Sequence, residues 1–181
     1  MRRVIAGTAS LLLAGSLGLI APATADAAPY CGITWGSRAE ARTGTVTSHL
    51  TNLRAGEHDC FDRLVIDLDH RAAGYTVRYV NQVTRPGSGS AVPLAGAADL
   101  EIVVTAAAYD SSGRPTYAPR APSAAVDVSG YATFRQVALA GSYEGRTTIG
   151  LGVRARLPMR VLTLNDPDGG SRVVIDVAHR W

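Results

Sequence analysis

Arg63-Leu64-Val65-Ile66-Asp67-Leu68-Asp69-His70-Arg71 is the stretch that decides the fold. Around it Asp62, Leu64, Ile66, Leu68 and His70 fall on one side, and Arg63, Val65, Asp67 and Asp69 on the other. A period of two is that of a strand with one buried face. The pattern returns at Arg172-Val173-Val174-Ile175-Asp176-Val177-Ala178-His179-Arg180, with six identities in nine positions. Arg63 and Asp67 stand about 13 Å apart along one strand, beyond direct pairing, so each needs a partner on a neighbouring strand. Two arrangements meet that need. The arginines and aspartates can pair across strands, or the two related strands can take related positions in a pseudo-symmetric sandwich and expose a shared Arg/Asp surface.

Working outward, strand-like runs occur at 45–54, 75–83, 99–108, 131–139, 146–156, 158–164 and 171–179. Gly74, the Pro86-Gly87-Ser88-Gly89-Ser90 stretch, the Pro- and Ser-containing segment 111–125 and Asn165-Asp166-Pro167-Asp168-Gly169-Gly170 separate them, with residues that turn corners or tolerate positive φ. Ala106-Ala107-Ala108 favours helix, but the β-branched run Ile102-Val103-Val104-Thr105 before it decides for strand. The expectation is an all-β chain, a two-sheet β-sandwich with related first and last strands.

Met1-Arg2-Arg3, the apolar run Val4 to Ala21 and small residues at 23–27 have the layout of a cleaved secretory signal peptide. The run is about the minimum length for a membrane span and is interrupted by Gly7, Gly15 and Gly18. Pro29-Tyr30 ahead of Cys31 does not fit a lipid-anchor site, and Arg2-Arg3 lacks the flanks of a twin-arginine signal. The expected layout is a signal peptide at 1–27, an N-terminal segment at 28–44 and a β domain at 45–181, secreted and with no stable membrane span after cleavage. In an oxidising compartment Cys31 and Cys60 have one possible connectivity. Closing that loop is worth about 3 to 4 kcal/mol on the chain-entropy model.

All 18 basic residues other than histidine are arginine, set against 15 acids for a formal charge of +3, which falls to +2 when Arg2, Arg3 and Asp26 are removed. No block of like charge occurs. A nucleic-acid-binding arm or polybasic tether is thereby excluded. His49, His58, His70 and His179 have no metal-site spacing, no Gly-x-Ser-x-Gly occurs, and Asp166, Asp168 and Gly170 lack the rest of a calcium loop. Glu144 with Asp62 or Glu57 is the one pair to consider as a glycosidase acid and base. No catalytic residue, metal ligand or cofactor is expected.

Arg146, Arg154, Arg156 and Arg160 are the candidate ligand-binding residues. Either they gather into a patch whose guanidinium groups match the carboxylates or phosphates of envelope polymers, or they pair with Asp127, Glu144 or Asp176. An aromatic content of 6% argues against a sugar-stacking groove.

The Arg-Leu-Val-Ile-Asp-Leu strand, Gly74-Tyr75-Thr76-Val77-Arg78-Tyr79-Val80 and the closing Arg172-Val173-Val174-Ile175-Asp176-Val177 resemble the opening and closing strands of AMIN-type domains. The likeness to the actinobacterial AMIN-like domain is closer. It extends to Gly56-Glu57-His58-Asp59-Cys60-Phe61-Asp62-Arg63, to Gly141-Ser142-Tyr143-Glu144-Gly145-Arg146 with the run to Arg154, and to Val177-Ala178-His179-Arg180-Trp181, and it covers roughly residues 45–181. The resemblance implies a two-sheet sandwich in an exported protein. AMIN domains proper act as targeting modules on amidases and secretins and bind peptidoglycan. The expected function is thus a secreted, non-catalytic protein that binds or localises to the cell envelope, at peptidoglycan or an associated polymer. The alternative is a secreted interaction module, such as a protease inhibitor or a partner of another exported protein, for which a strained, well-held tip in Ser111 to Ala125 would speak.

Overall fold

A computed structural model describes residues 29–44, 48–71 and 74–181. The signal-peptide reading of residues 1–27 lies outside the described residues. Twelve strands are described: β1 (Glu40–Arg42), β2 (Ser48–Glu57), β3 (Phe61–Leu68), β4 (Tyr75–Val80), β5 (Val83–Thr84), β6 (Ala91–Val92), β7 (Ala98–Val104), β8 (Ala106–Ala107), β9 (Phe134–Tyr143), β10 (Arg146–Val153), β11 (Met159–Asn165) and β12 (Ser171–Ala178). They form two five-stranded sheets, β11-β12-β3-β2-β8 and β1-β4-β7-β10-β9, plus the two-stranded β5-β6 hairpin.

The period of two in β3 and β12 puts Leu64, Ile66, Val173, Ile175 and Val177 on the inner face of the first sheet. Val77, Leu100, Ile102, Ile149 and Leu151 of the second sheet join them in one fully buried core. Burying each such side chain contributes about 1.5 to 3 kcal/mol relative to exposure. The two sheets therefore hold each other as the halves of a sandwich.

β3 and β12 are antiparallel neighbours, in a register that sets Arg63 opposite Asp176, Val65 opposite Val174 and Asp67 opposite Arg172. Each copy of the repeat thus lies against the other with its arginine facing the other's aspartate.

Three features depart from the expected strand list. The run 99–108 breaks at Thr105, so that β7 stays in the second sheet while β8 pairs parallel with β2 in the first. The Thr105 N–H donates to the Gly74 carbonyl (2.7 Å) at this crossing, where the chain turns from one layer to the other. The Pro-Gly-Ser stretch is the tip of the β5-β6 hairpin, closed by the Arg85 N–H on the Ser90 carbonyl (2.8 Å). Val83 and Val92 of that hairpin bury Ala138 and Ala140 in a second small cluster. The segment after it crosses β10 at Gly152, where a Cβ would stand 2.1 Å from the Ala95 carbonyl oxygen, so only glycine admits this approach. Finally, the N-terminal segment supplies β1, which pairs with β4.

A candidate polymer-binding cleft

Cys31 is bonded to Cys60, which precedes β3. The bond seats a short 3-10 turn, Tyr30–Gly32, against the end of the first sheet, with Cys31 at φ 55°. Gly36 and Met159 then exchange two backbone hydrogen bonds (2.9 and 2.8 Å), fixing the segment to the start of β11. Trp35 comes to lie edge-on to Phe61, with ring centroids 5.9 Å apart.

Beneath these rings is a charged cluster built from the repeat. Asp176, fully buried, accepts from Arg63 Nε (2.7 Å) and Nη2 (2.9 Å) and from Arg160 Nε (2.8 Å). The Arg160 guanidinium also sits 5.5 Å from the centre of the Trp35 ring and 5.4 Å from that of Phe61, and Arg63 covers Phe61 at 5.2 Å. The hydrogen bond to Asp176 holds the Arg63 proton above its ordinary pKa, outweighing burial, which acts the other way. Two arginines on one carboxylate leave a net positive charge under the aromatic layer.

Asp62 is also fully buried. It accepts from the Thr133 N–H (2.6 Å), the Phe134 N–H (2.8 Å) and the His179 ring (Nε2, 2.9 Å), tying β3 of one sheet to the start of β9 in the other. It is a fastening between layers.

On the outer side of Trp35 the chain leaves a cleft of about 400 Å³, walled by Pro29, Tyr30, Ile33, Trp35, Pro158 and Trp181. Among the described residues, no charged side chain lines it. Trp181 is 70% exposed, yet its Nε1 donates to the Arg156 carbonyl (3.2 Å), and Trp35 Nε1 donates to the Tyr30 carbonyl (3.0 Å). Both indoles are therefore oriented before any ligand arrives. Arg180 stacks on Tyr30 at 4.7 Å and adds a cation at the rim.

The four arginines singled out in the sequence do not form one group. Arg160 belongs to the Asp176 cluster beside Trp35. Arg154 donates from Nη2 to the His179 carbonyl, and Arg156 stacks over Tyr79 at 5.0 Å while its carbonyl holds Trp181. Burial raises the Tyr79 phenol, and the Leu157 N–H and Arg156 offset only part of that. Those three lie along the segment that flanks the cleft. Arg146 opens β10 and lines a separate hollow with Arg42 and Thr105, about 26 Å along the strand from Arg154. Glu144 occupies the tight β9-β10 turn at φ 48°, at the far end of β9 from Asp62, so the proposed acid and base never meet. Asp166 and Gly170 close the β11-β12 hairpin, and Asp166 pairs with Arg172.

The aromatic cleft itself was missed. Its three rings come from positions 30, 35 and 181, so no local pattern announces them, although both tryptophans of the chain meet there. The disulfide was the one usable signal, because it forces residues 30–35 onto the body.

The fold is a disulfide-anchored β-sandwich with an oriented cleft at one end and buried structural carboxylates beside it. The family model for the AMIN-like domain matches residues 48–179, and the chain belongs to that family. Its domains are non-catalytic. No curated protein and no solved structure matches the chain. All three cleft rings lie outside the matched residues, on the flanks that the disulfide and β12 bring together.

Proposed function

We propose that this chain is an exported, non-catalytic module that holds to a polymer of the cell envelope, peptidoglycan or a polymer attached to it. The observation that carries this reading is the Tyr30/Trp35/Trp181 cleft, with Arg180 on Tyr30 and Arg160 beside Trp35, and Arg154 and Arg156 on the segment that leads to it. Oriented rings suit the C–H faces of sugars, and flanking guanidinium groups suit the carboxylates and phosphates that such polymers bear. Membership of a family associated with envelope binding supports it. Among the described residues, no helix is long and apolar enough to cross a membrane.

The interaction-module reading draws little from Ser111 to Ala125. Asp110 caps the turn before it, accepting from the Ser112 (2.8 Å) and Arg114 (3.0 Å) N–H groups. The tip is held, but its positive φ falls on Gly113, so no strained side chain is presented.

Co-sedimentation with isolated cell wall tests the proposal. Trp181→Ala combined with Trp35→Ala is expected to weaken binding at least tenfold, and Arg154→Ala with Arg156→Ala several-fold. Unchanged sedimentation of both folded double variants would overturn the assignment of the cleft.

A further inference from the structure

At the end of the first sheet opposite the cleft, three ligating side chains converge that no sequence spacing connects. His49 stands in β2, and Asp69 and His70 directly follow β3. His49 Nδ1 lies 2.7 Å from Asp69 Oδ2, His70 Nδ1 lies 2.9 Å from Asp69 Oδ1, and the three ligating atoms all fall within 4.8 Å of one another. We propose that His49, Asp69 and His70 form a binding site for a divalent transition-metal ion, with Zn²⁺ as its first occupant.

The chemistry selects that class of ion. Two imidazoles and one carboxylate suit zinc and its neighbours, whereas calcium and magnesium ask for oxygen ligands. An ion bound at about 2.0 to 2.2 Å from each atom needs neighbouring ligand atoms about 3.3 Å apart in a tetrahedron. The two nitrogen–carboxylate separations are shorter because hydrogen bonds now occupy the place of the ion. The His49 ring therefore has to withdraw from Oδ2 by only about half an ångström, while His70, now on Oδ1, has to turn toward the same point. Both Nδ1 atoms now face the carboxylate, the side from which an ion would bind. A ring that binds an ion through Nδ1 carries its proton on Nε2.

The backbone that bears these ligands is already fastened. The Asp69 N–H donates to the His49 carbonyl (3.2 Å), and the His49 N–H donates to Asp69 Oδ1 (2.6 Å), which leaves Oδ2 as the ligand oxygen. Ser171 Oγ donates to the His70 carbonyl (2.6 Å) and Ser48 Oγ to that of Arg71 (3.3 Å), holding the chain that follows β3. Such outer contacts orient ligands and raise affinity. Asp110 lies close enough to act on His49 electrostatically, but Arg114 and two backbone N–H groups engage its carboxylate. Its negative charge favours a cation without adding a ligand. His70 is 66% exposed, so the fourth position faces water and the ion exchanges freely with solvent.

Isothermal titration calorimetry of the chelator-treated protein with zinc chloride at pH 7.5 provides the test. One ion per chain with a micromolar dissociation constant is expected. His49→Ala, His70→Ala and Asp69→Asn should each weaken binding at least tenfold, while His58→Ala, at the other end of the sheet, leaves it unchanged. Nitrogen NMR of the two imidazoles adds a direct reading, since zinc should leave both with Nδ1 bound to the ion and the proton on Nε2. Absence of saturable binding overturns the proposal, as does binding that survives His49→Ala and His70→Ala together. Circular dichroism of each variant separates loss of the site from loss of the fold. Neither result bears on the cleft, which is built from other residues.

Discussion

The two ends of the β3–β12 pair use the same residues to different effect. Because the repeat lies antiparallel to its own copy, each end receives an arginine from one strand and an aspartate and histidine from the other. At the cleft end Asp176 is fully buried between Arg63 and Arg160, and His179, 17% exposed, is locked onto Asp62. At the other end Asp67 is 21% exposed and taken by Arg54, Arg172 turns away to Asp166, and His70 stands in solvent. The difference comes from what covers each end. The disulfide-tied segment and the start of β9 close the first, and the described residues leave the second open. A side chain's role here is set by its cover more than by its identity.

Paired substitutions can break that comparison. Asp176→Ala leaves two largely shielded guanidinium groups without their carboxylate and should cost about 3 to 5 kcal/mol in urea denaturation. The matching Asp67→Ala removes a pair whose arginine is half exposed and should cost about 1 kcal/mol or less. Equal losses would show that cover does not matter. Replacing both Cys31 and Cys60 by serine should lower stability by about 3 kcal/mol and weaken wall binding together, because the same bond seats the cleft. His179→Ala should cost about 1 to 2 kcal/mol, since it strips a buried carboxylate of a partner, while His70→Ala changes thermal stability little in the absence of metal.

The smallest effect concerns acid. Burial raises the Asp69 carboxyl, but the His49 N–H and the His70 and His49 rings together outweigh it, so its pKa lies below the ordinary 3.8. The stabilisation is therefore present above about pH 4 and is lost as pH falls through the lowered folded value. Wild type and Asp69→Asn should accordingly differ in melting temperature near neutrality and converge toward pH 2. A gap that persists unchanged in acid would show that the carboxylate charge is not what these contacts serve.

Much of the fold was legible because alternation along one strand reports directly on which face is buried. Leu64, Ile66, Val173 and Ile175 are in the core where that period puts them. The break at Thr105 was not legible, since a β-branched run reads the same whether it stays in one sheet or crosses to another. The β5-β6 hairpin was hidden by strands of only two residues each. The candidate sites depended on distant meetings. The cleft needs residues 30, 35 and 181, which only the disulfide and β12 bring together. His49 and Asp69 were nearer to view: β2 and β3 form a hairpin, and counting outward from its turn brings the two to the same end.

The register of the repeat has a further consequence for how the chain finds its fold. Hydrophobic alternation detects a slip of one residue, which would turn every buried side chain outward, but it is blind to a slip of two. The arginine–aspartate lattice removes that blindness. A two-residue slip would carry Arg63 about 6.6 Å past Asp176 and strand a buried carboxylate among valines. The charges on the outer face thus act as a parity check on the pairing of β3 with β12, and the sheet edge that supports the cleft inherits its alignment from them.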